Sequence, residues 1–150
     1  MRRADARRSG RPLPTGPGHA APLFVPPGGG PGGVKAAADA TGHVLGLVET
    51  SIPPGHSPPL HLHREEDEAF YVLSGTVDFV CGDERFRSTA GAFVYLPRDV
   101  PHGFLGVGDE PARVLVVVVP AGLEEAFAAP GRFEKVMQRR RVEVVGPPLT

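Results

Sequence analysis

Between residues 43 and 119 the chain alternates short apolar runs with turn residues. The runs are HVLGLVETS (43–51), AFYVLS (69–74), TVDFVC (76–81), RFRST (85–89), AFVYLP (92–97) and ARVLVVVV (112–119). All are short, and most are rich in β-branched and aromatic residues, which fits strands better than helices. Their spacing predicts an all-β antiparallel sandwich or barrel. Gly82 and Asp83 separate two β-prone runs and mark a hairpin. Pro53, Pro54, Pro58 and Pro59 bar helix around the first histidines, so that segment is extended. Only the C-terminal part departs from this pattern. LEEAFAA (123–129) and RFEKVMQRRR (132–141) have helix-forming composition and are split by Pro130 and Gly131, predicting one or two short helices packed on a β-domain.

Composition changes the picture at the N-terminus. Gly and Pro supply 15 of the first 33 residues of a 150-residue chain, which divides it into a flexible Arg/Gly/Pro-rich leader, 1–33, and one domain, 34–150. The stretch GGGPGG (28–33) lacks the Lys and Ser/Thr of a phosphate loop and reads as linker. Leu23, Phe24 and Val25 are its apolar exception and can add a short strand to the domain or to a neighbouring subunit. Five Arg against one Asp in residues 1–11 make the leader basic, but the whole chain carries net charge -1 and has no aromatic interleaving there. No nucleic-acid partner is expected. The longest apolar run, Val114 to Val119, is far shorter than the roughly 20 residues of a membrane-spanning helix. With one cysteine, Cys81, and no apolar segment after the Arg pairs, the reading is a cytoplasmic protein without disulfides or a membrane partner.

Candidate chemistry lies in His61, His63, Glu68 and His102. Two histidines at i and i+2 on an extended strand project to the same face, so His61 and His63 can grip one ion. Glu68 opens the next run, where a tight loop folds its carboxylate back toward the pair, and His102 arrives from a distant strand. Glu65, Glu66 and Asp67 are competing carboxylates beside it. Three neutral imidazoles and one carboxylate around a divalent ion in an octahedral field leave two open positions, which permits chemistry.

These residues resemble the two signature motifs of the cupin superfamily. The first, G-x5-H-x-H-x4-E-x6-G, is met at Gly55, His61, His63, Glu68 and Gly75. The second, G-x5-P-x-G-x2-H-x3-N, is met at Gly91, Pro97 and His102, with Asp99 in place of its third position and Gly106 in place of the final Asn. The resemblance covers residues 55–106 and extends with its flanking strands to about 43–120. It implies a jelly-roll β-barrel holding one divalent transition metal (Fe, Ni, Co, Mn or Cu, with Zn also possible) on the positions matching His61, His63, Glu68 and His102. The family spacing selects Glu68 over its neighbours and leaves Glu65, Glu66 and Asp67 solvated.

Within the family, the runs DEAFYVLSG and VVVVPAG and the tail VEVVGPP look most like single-domain bacterial cupins similar to quercetin 2,3-dioxygenase. That likeness implies a dioxygenase taking a flavonol-like or other aromatic or enolic small molecule together with dioxygen, with Glu68 also serving as general base. A homodimer is expected. The alternatives are a non-oxidative isomerase, cyclase or decarboxylase using the same metal, and a non-catalytic binding module. Phe70, Val72, Phe79, Phe93, Tyr95 and Phe104 are expected in the barrel core, and Cys81 as a small buried hydrophobe. Phe70 and Phe104 share parity with Glu68 and His102 and so line any substrate pocket. His56 structures its loop or reaches the pocket.

Because Gly, Pro and Arg cannot bury enough apolar surface to offset chain entropy, deleting residues 1–20 is expected to leave the thermal midpoint nearly unchanged. A large drop in a melting experiment would show that the leader packs.

Overall fold

The structure, a computed structural model, describes residues 21–22, 33–128 and 131–150. The strands are β1 (Ala21–Pro22), β2 (Gly33–Ala36), β3 (Gly46–Ile52), β4 (Pro59–His63), β5 (Asp67–Ser74), β6 (Thr76–Cys81), β7 (Glu84–Thr89), β8 (Phe93–Leu96), β9 (His102–Val107), β10 (Ala112–Val119) and β11 (Val142–Pro148). A one-turn helix, α1 (Ala38–Thr41), joins β2 to β3, and a 3₁₀ turn (Leu123–Phe127) and α2 (Phe133–Arg139) lie between β10 and β11. Of the leader, only the backbone of Ala21–Pro22 and Gly33 falls within this description: β1 pairs antiparallel with β2. The apolar triplet 23–25 and the linker 28–32 lie outside the described residues.

Two antiparallel sheets form the expected jelly roll. One has the order β1-β2-β3-β10-β5-β8 and the other β11-β4-β9-β6-β7. The core lies between them: Ile52, Phe70, Val72, Val94, Leu96, Ala112 and Val114 come from the first sheet, Val77 and Phe79 from the second. Each is removed almost completely from water, and burying one such large side chain contributes roughly 1.5–3 kcal/mol. Phe70 meets Phe79 edge-on at 5.2 Å and Phe104 at 5.3 Å, so three aromatic rings from both sheets fill the centre. Among the described residues no helix is long and apolar enough to cross a membrane.

Register decides which residues are buried, and here it corrects the sequence reading. Phe93 and Tyr95, expected in the core, are 66% and 54% exposed. They alternate with Val94 and Leu96 on β8, and these two occupy the inward face. Pairing with β5 sets Tyr95 opposite Ala69 and Phe93 opposite Tyr71, on the outside of the sheet. With side chains repeating every two residues, the inward positions of β8 go to the aliphatics and the aromatic pair faces out. Cys81, expected to be buried, is half-buried at the end of β6, paired with Glu84 and His102. The tail 142–148, for which the apolar pattern predicted no strand, is β11, and it covers β4 through the pairs Val142 with His63 and Val144 with His61. Of the two expected C-terminal helices, the second forms α2 and the first is a 3₁₀ turn.

Several turns that hold the histidine strands are fixed by close backbone approach. The amide of Gly106 donates to His56 O at 3.0 Å and that of Gly55 to Gly106 O at 2.9 Å, tying the Pro-rich turn before β4 to β9. A Cβ on Gly106 would sit 2.2 Å from the carbonyl oxygen of Pro53. Backbone cannot yield as a flexible side chain would, so Gly106→Ala is expected to destabilise the fold by about 2 kcal/mol, read as a lower midpoint in chemical or thermal denaturation. A midpoint equal to the wild type would show that the turn is free to move away.

Candidate metal centre

Three strands from both sheets bring the four expected residues together. β4 supplies His61 and His63, its neighbour β9 supplies His102 directly opposite His61, and β5 of the facing sheet supplies Glu68. One donor atom from each lies within 4.8 Å of every other. Pairwise, the histidine ring centroids are 4.7–5.1 Å apart. The Glu68 carboxylate bridges the two sheets, its Oε2 standing 3.2 Å from His63 Nε2 and 3.1 Å from His102 Nε2. His63, Glu68 and His102 are buried, and His61 is half-buried at the rim.

The other nitrogen of each imidazole points to an acceptor oxygen. His61 Nδ1 is 2.7 Å from Pro59 O, His102 Nδ1 is 3.1 Å from Val100 O, and His63 Nδ1 is 3.2 Å from Glu66 Oε1. Each such contact favours a proton on Nδ1, the usual arrangement behind a metal-bound histidine, whose Nε2 then turns its lone pair to the ion; in this structure His102 Nε2 donates to Glu68 Oε2 at 3.1 Å. Among the described residues, buried His63 Nε2 has no hydrogen-bond partner, since its approach to Glu68 lacks hydrogen-bond geometry. A buried donor atom without a partner, inside a ring of three further donors, fits a cation at the centre.

The electrostatics follow from that crowding. Burial, with His102 beside it, depresses the His61 pKa to about 4, which keeps this ring neutral at pH 7. Burial opposes a charge on His63 as well, but the Glu68 charge and the bond to Glu66 outweigh it and raise that pKa to about 9. Burial likewise opposes ionisation of Glu68, yet His63 and His102 hold its carboxyl far below the ordinary carboxylate range. Glu68 is thus an anion in place to face a cation.

The loop carrying His102 explains the two departures from the motif. Asp99, at a glycine position of the motif, adopts φ +65°, a left-handed conformation that Asp tolerates better than most residues. Its amide donates to His63 O at 2.8 Å, and its carboxylate accepts from Arg64 Nη1 at 2.9 Å. The loop is thereby tied to the end of β4, which aligns His102 with His63. Gly106, at the Asn position, is needed for the contact with Pro53 described above.

Of the competing carboxylates, Asp67 pairs with Arg98, which holds its pKa down to about 2, and Glu65 lies 3.6 Å from Arg141. Glu66 is a correction: expected in solvent, it is fully buried and bonded to His63 Nδ1 and to Arg140. The only sequence signal for it was its i+3 spacing from His63, which an exposed loop would share. His56 lies outside the cluster, half-buried in the turn before β4. Phe70 and Phe104 stand two residues along from Glu68 and His102 and reach the aromatic centre. A separate depression of about 190 Å³, lined by Asp67, Glu68, Ala69, Tyr95, Val117 and Val119, opens on the outer face of the sheet. Strand alternation puts it across the backbone of β5 from the Glu68 carboxylate.

Residues 48–118 match the family described as Cupin domain. The chain carries a cupin domain. Over 71 residues this cupin is 30% identical to quercetin 2,3-dioxygenase of Bacillus subtilis, and over 81 residues it is 32% identical to polyketide synthase CurC of Streptomyces cyaneus. Those stretches are 47% and 54% of this chain, but 21% and 51% of the relatives' own lengths. Among solved structures, a predicted oxalate decarboxylase from Thermotoga maritima superposes with a TM-score of 0.64 at 20% identity, over 72% of this chain and 99% of its own. The polyketide cyclase RemF from Streptomyces resistomycificus superposes with a TM-score of 0.56 at 26% identity, over 65% and 72%.

A divalent ion that binds the folded cupin and not the unfolded chain stabilises it by about 2.7 kcal/mol at one hundred times its dissociation constant. Adding cobalt(II) or nickel(II) to chelator-treated protein is therefore expected to raise the thermal midpoint, and a chelator to reverse the rise. His102→Ala should abolish the effect. An equal rise in that variant would place the ion elsewhere.

Proposed function

We propose that this cupin is a metal-dependent enzyme acting on a small aromatic or enolic molecule, with dioxygen as co-substrate. The observation that carries this reading is the set of four donors, three imidazoles and one carboxylate, converging beside an aromatic interior. His61, His63, Glu68 and His102 would hold the ion. A bound redox-active ion would polarise adjacent substrate oxygens and make dioxygen chemistry accessible. The likeness to quercetin 2,3-dioxygenase supports an oxygenase.

The protein's own groups divide the remaining work. Glu68 is anionic, buried and shared between two imidazoles, so it can take the proton of a substrate hydroxyl as that oxygen enters the site. The histidines, fixed through their Nδ1 contacts, supply geometry without moving a proton. Phe70 and Phe104 would exclude water and offer flat apolar surface to a ring. His56, in the turn before β4 and outside the donor cluster, would be a further polar group for the substrate.

A second reading has its own support. CurC and RemF both carry polyketide names, and the same site without oxygen would serve a cyclase, with the ion acting as Lewis acid and Glu68 again as base. Oxygen separates the two. Metal-loaded protein offered flavonols and small enediols should consume dioxygen in an oxygen electrode, whereas turnover undiminished under nitrogen would favour the cyclase.

Glu68→Gln tests the base in either case. Three imidazoles can retain a divalent ion, so the variant should keep a sizeable share of metal while turnover falls by roughly 10²- to 10⁴-fold. His61→Ala should lose metal and activity together. A Glu68→Gln variant with full metal and full activity would remove Glu68 from the chemistry.

A further inference from the structure

Glu66 is a fully buried carboxylate that neither the ligand set nor the proposed chemistry uses. It sits in the loop between β4 and β5, three residues after His63. Its Oε1 is 3.2 Å from His63 Nδ1, on the side of the ring away from Nε2, so it stands behind the ligand and cannot itself reach the ion. Its Oε2 accepts from Arg140 Nε at 3.2 Å and lies 3.0 Å from Arg140 Nη2. Arg140 follows directly on α2, its amide bonded to Val136 O, and its guanidinium packs against Gly122, where a Cβ would come within 3.0 Å of it. Two residues later the chain enters β11 and pairs with His63 itself.

A buried carboxylate of this kind is expensive to hold unless both its oxygens are satisfied, and here one faces a metal-ligand histidine and the other an arginine. His63 and Glu66 are neighbours three residues apart at the end of β4, but Arg140, at the C-terminal end of α2, is 74 residues away from Glu66 in sequence and reaches it only through the fold. We propose that Glu66, held by Arg140, is a positioning residue for the metal site: it keeps the His63 proton on Nδ1 and turns its Nε2 lone pair toward the ion. The C-terminal helix is thereby coupled to metal affinity. The inference rests on the reading of His61, His63, Glu68 and His102 as a metal site.

The test uses cobalt(II) alone as probe, measuring affinity and the visible absorption of the bound ion in the full-length protein. Replacing both partners, Glu66→Leu with Arg140→Leu, removes the buried charge pair together, so the metal-free variant should still fold, its midpoint lowered at most by the loss of the acceptor for His63 Nδ1. It should bind cobalt 10- to 100-fold more weakly, the usual consequence of losing a carboxylate behind a ligand histidine, and show a changed spectrum. Glu66→Gln, whose amide oxygen still accepts from Nδ1, should recover most of the affinity and the wild-type spectrum. A merely structural ion pair would shift the melting point and leave affinity and spectrum alone. Should the leucine pair fail to fold, Glu66→Met with Arg140→Met, which fills the volume better, takes its place. Affinity within about threefold of wild type and an unchanged spectrum in the folded double variant would overturn the inference. Wild-type protein that takes up no cobalt would instead overturn the metal reading, and this inference with it.

Discussion

The Glu68 carboxylate is the contact on which the site depends. It is the one donor from its sheet, and with a single oxygen it meets His63 and His102 of the other. Facing sheets pack about 10 Å apart, a gap that a glutamate and a histidine together can span only if their strands are set in one register. A buried carboxylate without such partners would cost several kcal/mol, so the sheets, the core and the histidines must assemble as one. The aromatic centre of Phe70, Phe79 and Phe104 holds the sheets at that separation, and the Asp99 and Gly106 contacts fix the ends of the histidine strands against it.

Four acidic residues in a row show how a fold separates chemically similar groups. Glu65 stays at the surface near Arg141, Glu66 turns inward behind His63, Asp67 pairs with Arg98, and Glu68 enters the barrel. The difference arises from position alone: β5 begins at Asp67, so from there the side chains alternate and Glu68 takes an inward place. Glu65, Glu66 and Asp67 each have an arginine partner, whereas the partners of Glu68 are imidazoles alone, which it can trade for an ion.

Much of this was legible beforehand because it rests on short-range rules. Strands β5, β6, β7 and β10 lie within two residues of the apolar runs, and His61 and His63 share a face because a strand repeats every two residues. The ligand set was legible through motif spacing. What was not legible depends on distant partners. Nothing local tells Phe93 from Val94, and only the pairing of β8 with β5 turns the aromatic outward. β11 reads as a tail until β4 is there to pair with it. Glu66 looks like any loop carboxylate, because its partner Arg140 is 74 residues away.

The central claim is that four side chains from three strands form one metal site. Its most direct test is an anomalous difference map from crystals grown with manganese(II), cobalt(II) or nickel(II), with data collected at the metal's absorption edge. The account predicts one dominant peak per chain, within bonding distance of His61 Nε2, His63 Nε2, His102 Nε2 and Glu68. A peak elsewhere, or none at this position with the metal in excess, would contradict it.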